Sequence, residues 1–241
     1  MDKYKTMISH FGFSAASIDD LGATEYTLVT VAVDVSGSVQ NYKTEMENCL
    51  SDIVKACQNS PRAENLMLRI LAFDSSLSEI HGFKLLQECN PNWYKGRLNI
   101  GGTTAMVDVA VNSLEAMELY AKELTNNDFD VNGILIVITD GHDNASGKSI
   151  ATFKKQIKSS QYNENMESVV SILVGVGEGV HSYLSNVKSE MGMMEFIPLK
   201  DATAGTMSKL AHFVSQSISS QSKALGSGTH GSVGISKEIT F

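Results

Sequence analysis

Apolar and polar residues alternate in blocks along most of the chain, and the blocks predict strands that alternate with helices. The strand-like blocks are short apolar runs at residues 26–33, 66–73, 80–83, 133–139, 169–174 and 195–198. The helix-like blocks carry apolar residues at helical spacing and lie at residues 42–57, 106–124, 150–157, 180–191 and 202–218. Continuous apolar runs are typical of strands that are buried on both faces. The pattern therefore predicts an α/β fold, with a doubly wound, mostly parallel sheet and helices on both faces.

The same pattern divides the chain into three parts. Residues 1–25 mix apolar and polar residues without a clear pattern. We expect them to form a lead-in that packs on the edge of a single domain at 26–219. Residues 220–241 are rich in Gly and Ser, which is typical of a flexible tail. The tail ends in a strand-like segment at 233–241. This segment is either loosely packed or a strand that adds to the sheet of a partner or of a neighbouring copy.

Three polar loops follow predicted strands or precede a predicted helix. D34-V-S36-G-S38 ends the first central strand, and alternate residues of an extended chain point to the same side. G101-G102-T103-T104 leads into the most regular helical pattern, and T139-D140-G141 ends another buried run. Because strand ends and helix starts share one edge of an open α/β sheet, the three loops are expected to converge there. Carboxylate and hydroxyl oxygens suit a hard cation such as Mg²⁺.

This ordered set of loops resembles the von Willebrand factor A (VWA) domain and its metal-ion-dependent adhesion site (MIDAS). The resemblance covers about residues 26–219. Within the family, the chain resembles the stand-alone VWA proteins of tellurite-resistance-type systems. It implies a Mg²⁺ site, with Mn²⁺ or Ca²⁺ as alternatives. The implied ligands are Asp34, Ser36, Ser38, Thr103 and Asp140.

The resemblance also implies a role for each ligand. Ser36 and Ser38 would bind the cation directly through their hydroxyls. Asp34 and Asp140 would hold it directly or through water and supply most of the negative charge. Thr103 would bind directly in one state and through water in another, with Thr104 as the alternative; Thr104 is also the predicted N-cap of the following helix.

Such a site predicts a non-catalytic, protein-binding domain. Mg²⁺ prefers six ligands, so five protein groups leave one position for an acidic side chain of a partner. Trp93, Tyr94 and His142 are candidates for partner choice near the metal. By analogy with the family, the expected role is an adaptor that works with an AAA+ ATPase or a kinase/phosphatase system. The alternative is a self-assembling structural protein that donates its tail as a strand.

Enzymatic alternatives are weaker. Ser36 and Ser38 do not lie in the G-x-S-x-G turn of a hydrolase nucleophile. His142 is close enough to the proposed metal to support metal-assisted hydrolysis, but a loop His beside an acid is more typical of a solvent-facing residue. D128-F-D130-V-N132-G133 opens like a calcium loop but has Thr139 in place of the closing Glu. G175-V-G177-E-G179 lacks the spacing of a nucleotide-binding loop. We therefore expect no enzyme.

Charge and cysteine content limit which classes of partner and which cellular compartment are expected. The net charge of −8 argues against nucleic acids and anionic membranes as main partners. Three cysteines (Cys49, Cys57 and Cys89) with no CxxC pair suggest free thiols in a reducing compartment. We find no apolar segment long enough for a signal peptide or a membrane span. These features predict a cytoplasmic protein.

Overall fold

The predicted α/β architecture is confirmed. The computed structural model describes residues 4–7, 13–162 and 164–226. Its eight strands, in chain order, are Tyr4–Met7 (β1), Phe13–Ala16 (β2), Glu25–Asp34 (β3), Leu66–Phe73 (β4), Leu77–Leu85 (β5), Asp130–Thr139 (β6), Ser168–Val176 (β7) and Glu195–Leu199 (β8). They form one sheet with the order β1-β2-β5-β4-β3-β6-β7-β8. The sheet is mostly parallel, because only the pairs β1–β2 and β4–β5 run antiparallel.

Helices cover both faces of this sheet. In the described part of the chain they are Lys43–Gln58 (α1), Met106–Thr125 (α2), Ile150–Tyr162 (α3), His181–Met191 (α4) and Ala204–Gly226 (α5). α1 and α5 pack on one face, and α2, α3 and α4 pack on the other. Along β3, Val31 and Val33 point into the first layer, whereas Leu28 and Ala32 point into the second. This two-sided burial explains why the central strands are continuous apolar runs.

The N-terminal lead-in contributes strands to the sheet. β2 pairs with β5 beside Phe83, so β5 lies inside the sheet and not at its edge. Phe13 and Ala15 are buried, and Glu79 accepts hydrogen bonds from the backbone and the hydroxyl of Ser14 at 3.0 and 2.6 Å. β1 and β2 have four residues each, which is too short for a clear alternating pattern.

The last helix is longer than predicted, and the tail boundary at residue 220 was wrong. α5 continues to Gly226, although the segment after Ile218 is rich in Ser. Gln221 and Ser222 are buried; the Asn132 side chain donates to the Gln221 carbonyl at 3.3 Å, and Arg62 Nε donates to the Ser222 hydroxyl at 3.1 Å. Buried hydrogen bonds thus outweigh the local preference of Ser for turns. The strand-like segment at 233–241 lies outside the described residues, so the self-assembly alternative stays a prediction.

The three cysteines are free and buried. Burial raises the pKa of each of these thiols to about 12, which keeps them protonated at neutral pH. Across the described residues, none of the helices has the length and apolar character needed to cross a membrane.

Candidate functional site

The central crevice between β3 and β6 brings two of the three predicted loops together. These strands are parallel neighbours, paired up to Val33 and Ile138, so Asp34 and Asp140 leave the sheet side by side. β3 continues into α1 on one face, and β6 continues into α3 on the other. The chain therefore diverges here to opposite faces, which is the usual position of ligand sites in open α/β sheets.

Asp34 is a fully buried carboxylate at the floor of this crevice. Its Oδ1 accepts from the Ser36 backbone N–H at 2.8 Å, and its Oδ2 accepts from the Thr139 hydroxyl at 2.5 Å. Burial nevertheless raises the pKa of Asp34 above its ordinary value, and the nearby negative charge of Asp140 raises it further. A positive charge in the crevice would favour the ionised form.

Asp140 lies half-buried beside the two serines. The Ser38 hydroxyl donates to Asp140 Oδ1 at 2.7 Å, and the Ser36 and Ser38 hydroxyl oxygens are 3.2 Å apart. The structure therefore joins four of the predicted site residues in one hydrogen-bonded group, which runs from Asp34 through the serines to Asp140.

Two further residues belong to this group, and neither is predicted as a site residue from the sequence. Tyr42 donates its hydroxyl to Asp140 Oδ2, and Thr139 binds Asp34. Burial and the adjacent carboxylate raise the pKa of Tyr42, so the phenol stays a proton donor. The sequence offers only a weak signal for Tyr42, because it follows the D-x-S-x-S run by four residues at the start of a helix. Thr139 belongs to the T139-D140-G141 segment, where the sequence pattern indicates only the last residue of a strand.

The glycine loop is attached directly to the D-x-S-x-S loop. Gly101 N–H donates to the Val35 carbonyl at 2.8 Å, and Gly37 N–H donates to the Gly102 carbonyl at 3.3 Å. Gly102 has φ +71°, and a Cβ there would lie 2.9 Å from a carboxylate oxygen of Asp74. A residue with a side chain would be strained in this conformation and would force the Asp74 side chain to move.

The third predicted ligand lies on this loop without touching the others. Thr103 is exposed next to Gly102, and within the described residues its side chain makes no hydrogen bond to the other four predicted ligands. Thr104 is buried, and its carbonyl accepts from the amides of Asn144 and Ala145 at 3.0 and 3.1 Å. The exposed position fits Thr103 better than Thr104 for contact with an ion in the crevice.

The helix cap expected from Thr104 comes from another loop. α2 begins at Met106, and its cap residue Ala105 offers no side-chain acceptor. Instead, Asp143 accepts from Val107 N–H at 2.7 Å, and the Ser146 hydroxyl accepts from Asp108 N–H at 3.1 Å. Sequence-based capping rules consider only neighbours along the chain, so they miss a cap from a distant loop. This cap fastens the Asp140 loop to the start of α2.

The aromatic candidates for partner choice differ in exposure. Tyr94 is wrong for that role, because it is buried and its hydroxyl lies 2.9 Å from His81 Nε2. Trp93 is 38% exposed. His142 is exposed close to Asp140 in sequence, and its ring packs against the ring of Tyr183 at a tilt of 38°, with the centroids 4.0 Å apart.

The calcium-loop-like segment at 128–133 and the glycine-rich segment at 175–179 have structural roles. Asp130 and Asn132 lie in strand β6, and the buried Asn132 side chain accepts from the Ser168 hydroxyl at 2.8 Å, so the segment is not a calcium loop. A Cβ at Gly175 would lie 2.7 Å from Leu184, and Gly177 has φ +95°. These glycines let the chain turn closely off β7. The described residues contain no cluster of three or more His, Cys, Asp or Glu side chains suited to a metal.

Comparison with known proteins bears on the fold. No family model matches the chain, and no curated protein matches it in sequence. Solved structures do match. The PilB minor pilin of Streptococcus sanguinis has a TM-score of 0.54 at 13% identity, over 83% of this chain and 63% of its own. The ArnB paralog VWA2 of Sulfolobus acidocaldarius has a TM-score of 0.52 at 16% identity, over 81% and 46%.

A third match is proximal thread matrix protein 1 of the mussel byssus, in a structure whose MIDAS motif is occupied by zinc. Its TM-score is 0.52 at 21% identity, over 80% of this chain and 45% of its own. The chain thus spans less than two thirds of the length of these proteins. At such identities the likeness concerns the fold, which is a Rossmann-like VWA fold.

Proposed function

We propose that this VWA-like domain is a non-catalytic binding module that holds Mg²⁺ between β3 and β6 and engages an acidic group of a partner protein. The observation that carries the proposal is the buried carboxylate of Asp34, which lies in one hydrogen-bonded group with two serine hydroxyls and Asp140. An uncompensated carboxylate is costly to bury, and a cation in the crevice would offset that cost.

The donor atoms fit a hard cation. Ser36 and Ser38 offer hydroxyl oxygens from a strand end that is fixed by the backbone hydrogen bonds of Val35 and Gly37. Asp34 and Asp140 supply two negative charges. Thr103 is the proposed fifth ligand, on the glycine loop that is bonded to this strand end. Oxygen ligands favour Mg²⁺, with Mn²⁺ or Ca²⁺ as alternatives. The zinc-occupied MIDAS of the byssus protein supports metal binding on this fold.

The chemical type of the partner group is inferred from the charge of the site and the coordination number of the cation. A divalent ion with two carboxylates is neutral, and Mg²⁺ prefers six ligands, so five protein groups leave one position open. We propose that an acidic side chain of a protein fills it. The resemblance to stand-alone VWA proteins further suggests a cytoplasmic adaptor that works with an AAA+ ATPase or a kinase/phosphatase system, with no role as an enzyme.

A metal titration tests the proposal. Ligands that bind only the folded state raise the melting temperature, so Mg²⁺ should stabilise the wild type relative to EDTA. Ser36→Ala/Ser38→Ala should lose this stabilisation. A matched control, Ser182→Ala/Ser185→Ala, makes the same change on the exposed surface of α4 and should keep it. An equal effect of Mg²⁺ on all three proteins, or no effect on the wild type at millimolar Mg²⁺, would contradict the metal site.

A further inference from the structure

The loop that leads to the metal crevice carries an unusual charge. Between Glu88 and Asp108 the chain has no acidic residue, and its only charged side chains are Lys95 and Arg97, whereas the whole chain has a net charge of −8. Both side chains are exposed. Exposed cations concentrated on one loop of an acidic protein create a local positive potential that differs from the rest of the surface.

A buried carboxylate on α1 fixes the position of this loop. Glu47 is 7% exposed, and its two oxygens accept from the backbone N–H groups of Gly96 and Leu98 at 2.9 and 3.2 Å. Lys43 Nζ lies 3.8 Å from the same carboxylate. Because Glu47 is occupied by two amides and Lys43, its charge is largely balanced within the protein. Lys95 and Arg97, which flank the fixed Gly96, therefore carry the uncompensated positive charge of this loop and are called the basic cluster below.

The basic cluster and the proposed metal site share one surface. The loop continues from Arg97 to Gly101 and Gly102, which are bonded to the D-x-S-x-S loop. Arg97 precedes Gly101 by four residues, which span at most about 14 Å of extended chain, so the backbone of Arg97 lies within that reach of the D-x-S-x-S loop. The Glu47 anchor also lies near the crevice, because its ion-pair partner Lys43 directly follows Tyr42, whose hydroxyl donates to Asp140.

We propose that the partner is an acidic peptide segment with at least two carboxylates, one on the cation and another on the basic cluster. This inference rests on the proposed function and specifies its ligand. A reach of up to about 14 Å corresponds to two to four residues of extended peptide between the two acids. The cluster thus selects acidic segments over single acidic residues and speeds their association.

The test uses two labelled synthetic peptides of Gly and Ser, measured by fluorescence anisotropy. One peptide carries a single Glu, and the other carries three Glu residues separated by two residues each. Each is titrated with the full chain in Mg²⁺ and in EDTA. The test variant is Lys95→Gln/Arg97→Gln. The matched control, Lys155→Gln/Lys158→Gln, removes two exposed lysines from α3, which packs on the opposite face of the sheet from α1 and the Lys95 loop.

The expected result is that the three-Glu peptide binds the wild type in Mg²⁺ more tightly than the single-Glu peptide. Lys95→Gln/Arg97→Gln should weaken that binding about 3- to 10-fold, as expected for exposed ion pairs, and should leave the single-Glu peptide less affected. The control should bind both peptides as the wild type does. Higher salt should reduce the difference in affinity between the two peptides.

Three results would overturn the inference. Equal Mg²⁺-dependent binding of both peptides, unchanged in Lys95→Gln/Arg97→Gln, would show that the basic cluster does not contribute to binding. The proposed function would then stand without this inference. Binding of the three-Glu peptide that is the same in EDTA would show that the cluster acts without the metal. If neither peptide shows Mg²⁺-dependent binding up to millimolar concentration, the proposed function fails together with the inference.

Discussion

At the scale of single residues, the candidate site depends on side chains that hold the proposed ligands as well as on the ligands themselves. Asp34 and Asp140 each accept a hydroxyl, from Thr139 and Tyr42 respectively. In metal sites such supporting hydrogen bonds orient the ligands and tune their affinity. The D-x-S-x-S pattern made the ligands predictable, whereas the supporting residues depend on which strand lies next to which.

Tyr42→Phe should therefore weaken Mg²⁺ binding about 10-fold, because Asp140 loses the donor that fixes its carboxylate beside Ser38. The loss of one hydrogen bond should lower the free energy of unfolding in EDTA by only about 1 kcal/mol. Isothermal titration with Mg²⁺ measures the first effect and thermal unfolding the second.

Tyr162→Phe is the matched control, since that side chain is 87% exposed at the end of α3. It should bind Mg²⁺ as the wild type does. Unchanged Mg²⁺ affinity in Tyr42→Phe would mean that Asp140 is oriented without the phenol. Tighter binding would mean that the phenol competes with the metal for Asp140.

At the scale of elements, the sequence predicted the long helices and the central strands because their burial is regular. α2 shows one apolar stripe over five turns, and β3 and β6 are buried on both faces. The predictions failed where a tertiary contact decides the structure. β2 is held by Glu79 of a distant strand, and the last turns of α5 are held by Asn132 and Arg62. A local pattern contains no information about such partners.

His81 is another contact between elements, and it makes stability depend on pH. It lies in β5 and binds the hydroxyl of Tyr94 in the turn before the glycine loop. Burial lowers the pKa of His81 to about 4. The unfolded chain, with a pKa near 6.5, then binds more protons than the folded chain between pH 4 and 6.5. The contribution of His81 is therefore fully present above about pH 6.5 and is lost as the pH falls toward 4.

His81→Gln should flatten this part of the pH profile. The neutral side chain does not titrate, so the wild type should lose about 3 kcal/mol more than the variant between pH 6.5 and 4. Urea unfolding at a series of pH values measures the slope. His212→Gln, which changes an exposed His on α5, should leave the profile unchanged. Parallel profiles for wild type and His81→Gln would show that other groups cause the acid sensitivity.

At the scale of the whole molecule, the sheet order assembles the candidate site from segments that are far apart in sequence. The α/β alternation predicted which edge of the sheet would carry the loops, because parallel strands present their carboxyl ends together. It did not predict the order β4-β3-β6, which puts the Asp34 and Asp140 loops side by side at the central crevice. That order depends on long-range contacts of the strands with one another and with the helices on both faces, which a local sequence pattern does not contain.

This assembly has a consequence for the stability of the domain. The fold buries Asp34 at its centre, and burial raises the pKa of that carboxyl, so the ionised form destabilises the metal-free protein above its folded pKa. An amide of the same shape accepts the Ser36 N–H bond without the charge. Asp34→Asn should thus stabilise the domain in EDTA by about 1 kcal/mol, or 2–4 °C in melting temperature, while it abolishes the response to Mg²⁺.

Thermal unfolding in EDTA and in Mg²⁺ separates this effect from simple damage to the fold. Asp74→Asn is the control, because Asp74 follows the neighbouring strand β4, is half-buried, and accepts from Ser76 through one oxygen. It should keep the response to Mg²⁺. A melting temperature of Asp34→Asn several degrees below wild type in EDTA would mean that the carboxylate stabilises the fold through Thr139 and Ser36. In that case its burial would need no cation to explain it, and the main argument for a metal in the crevice would rest on the serines and Asp140 alone.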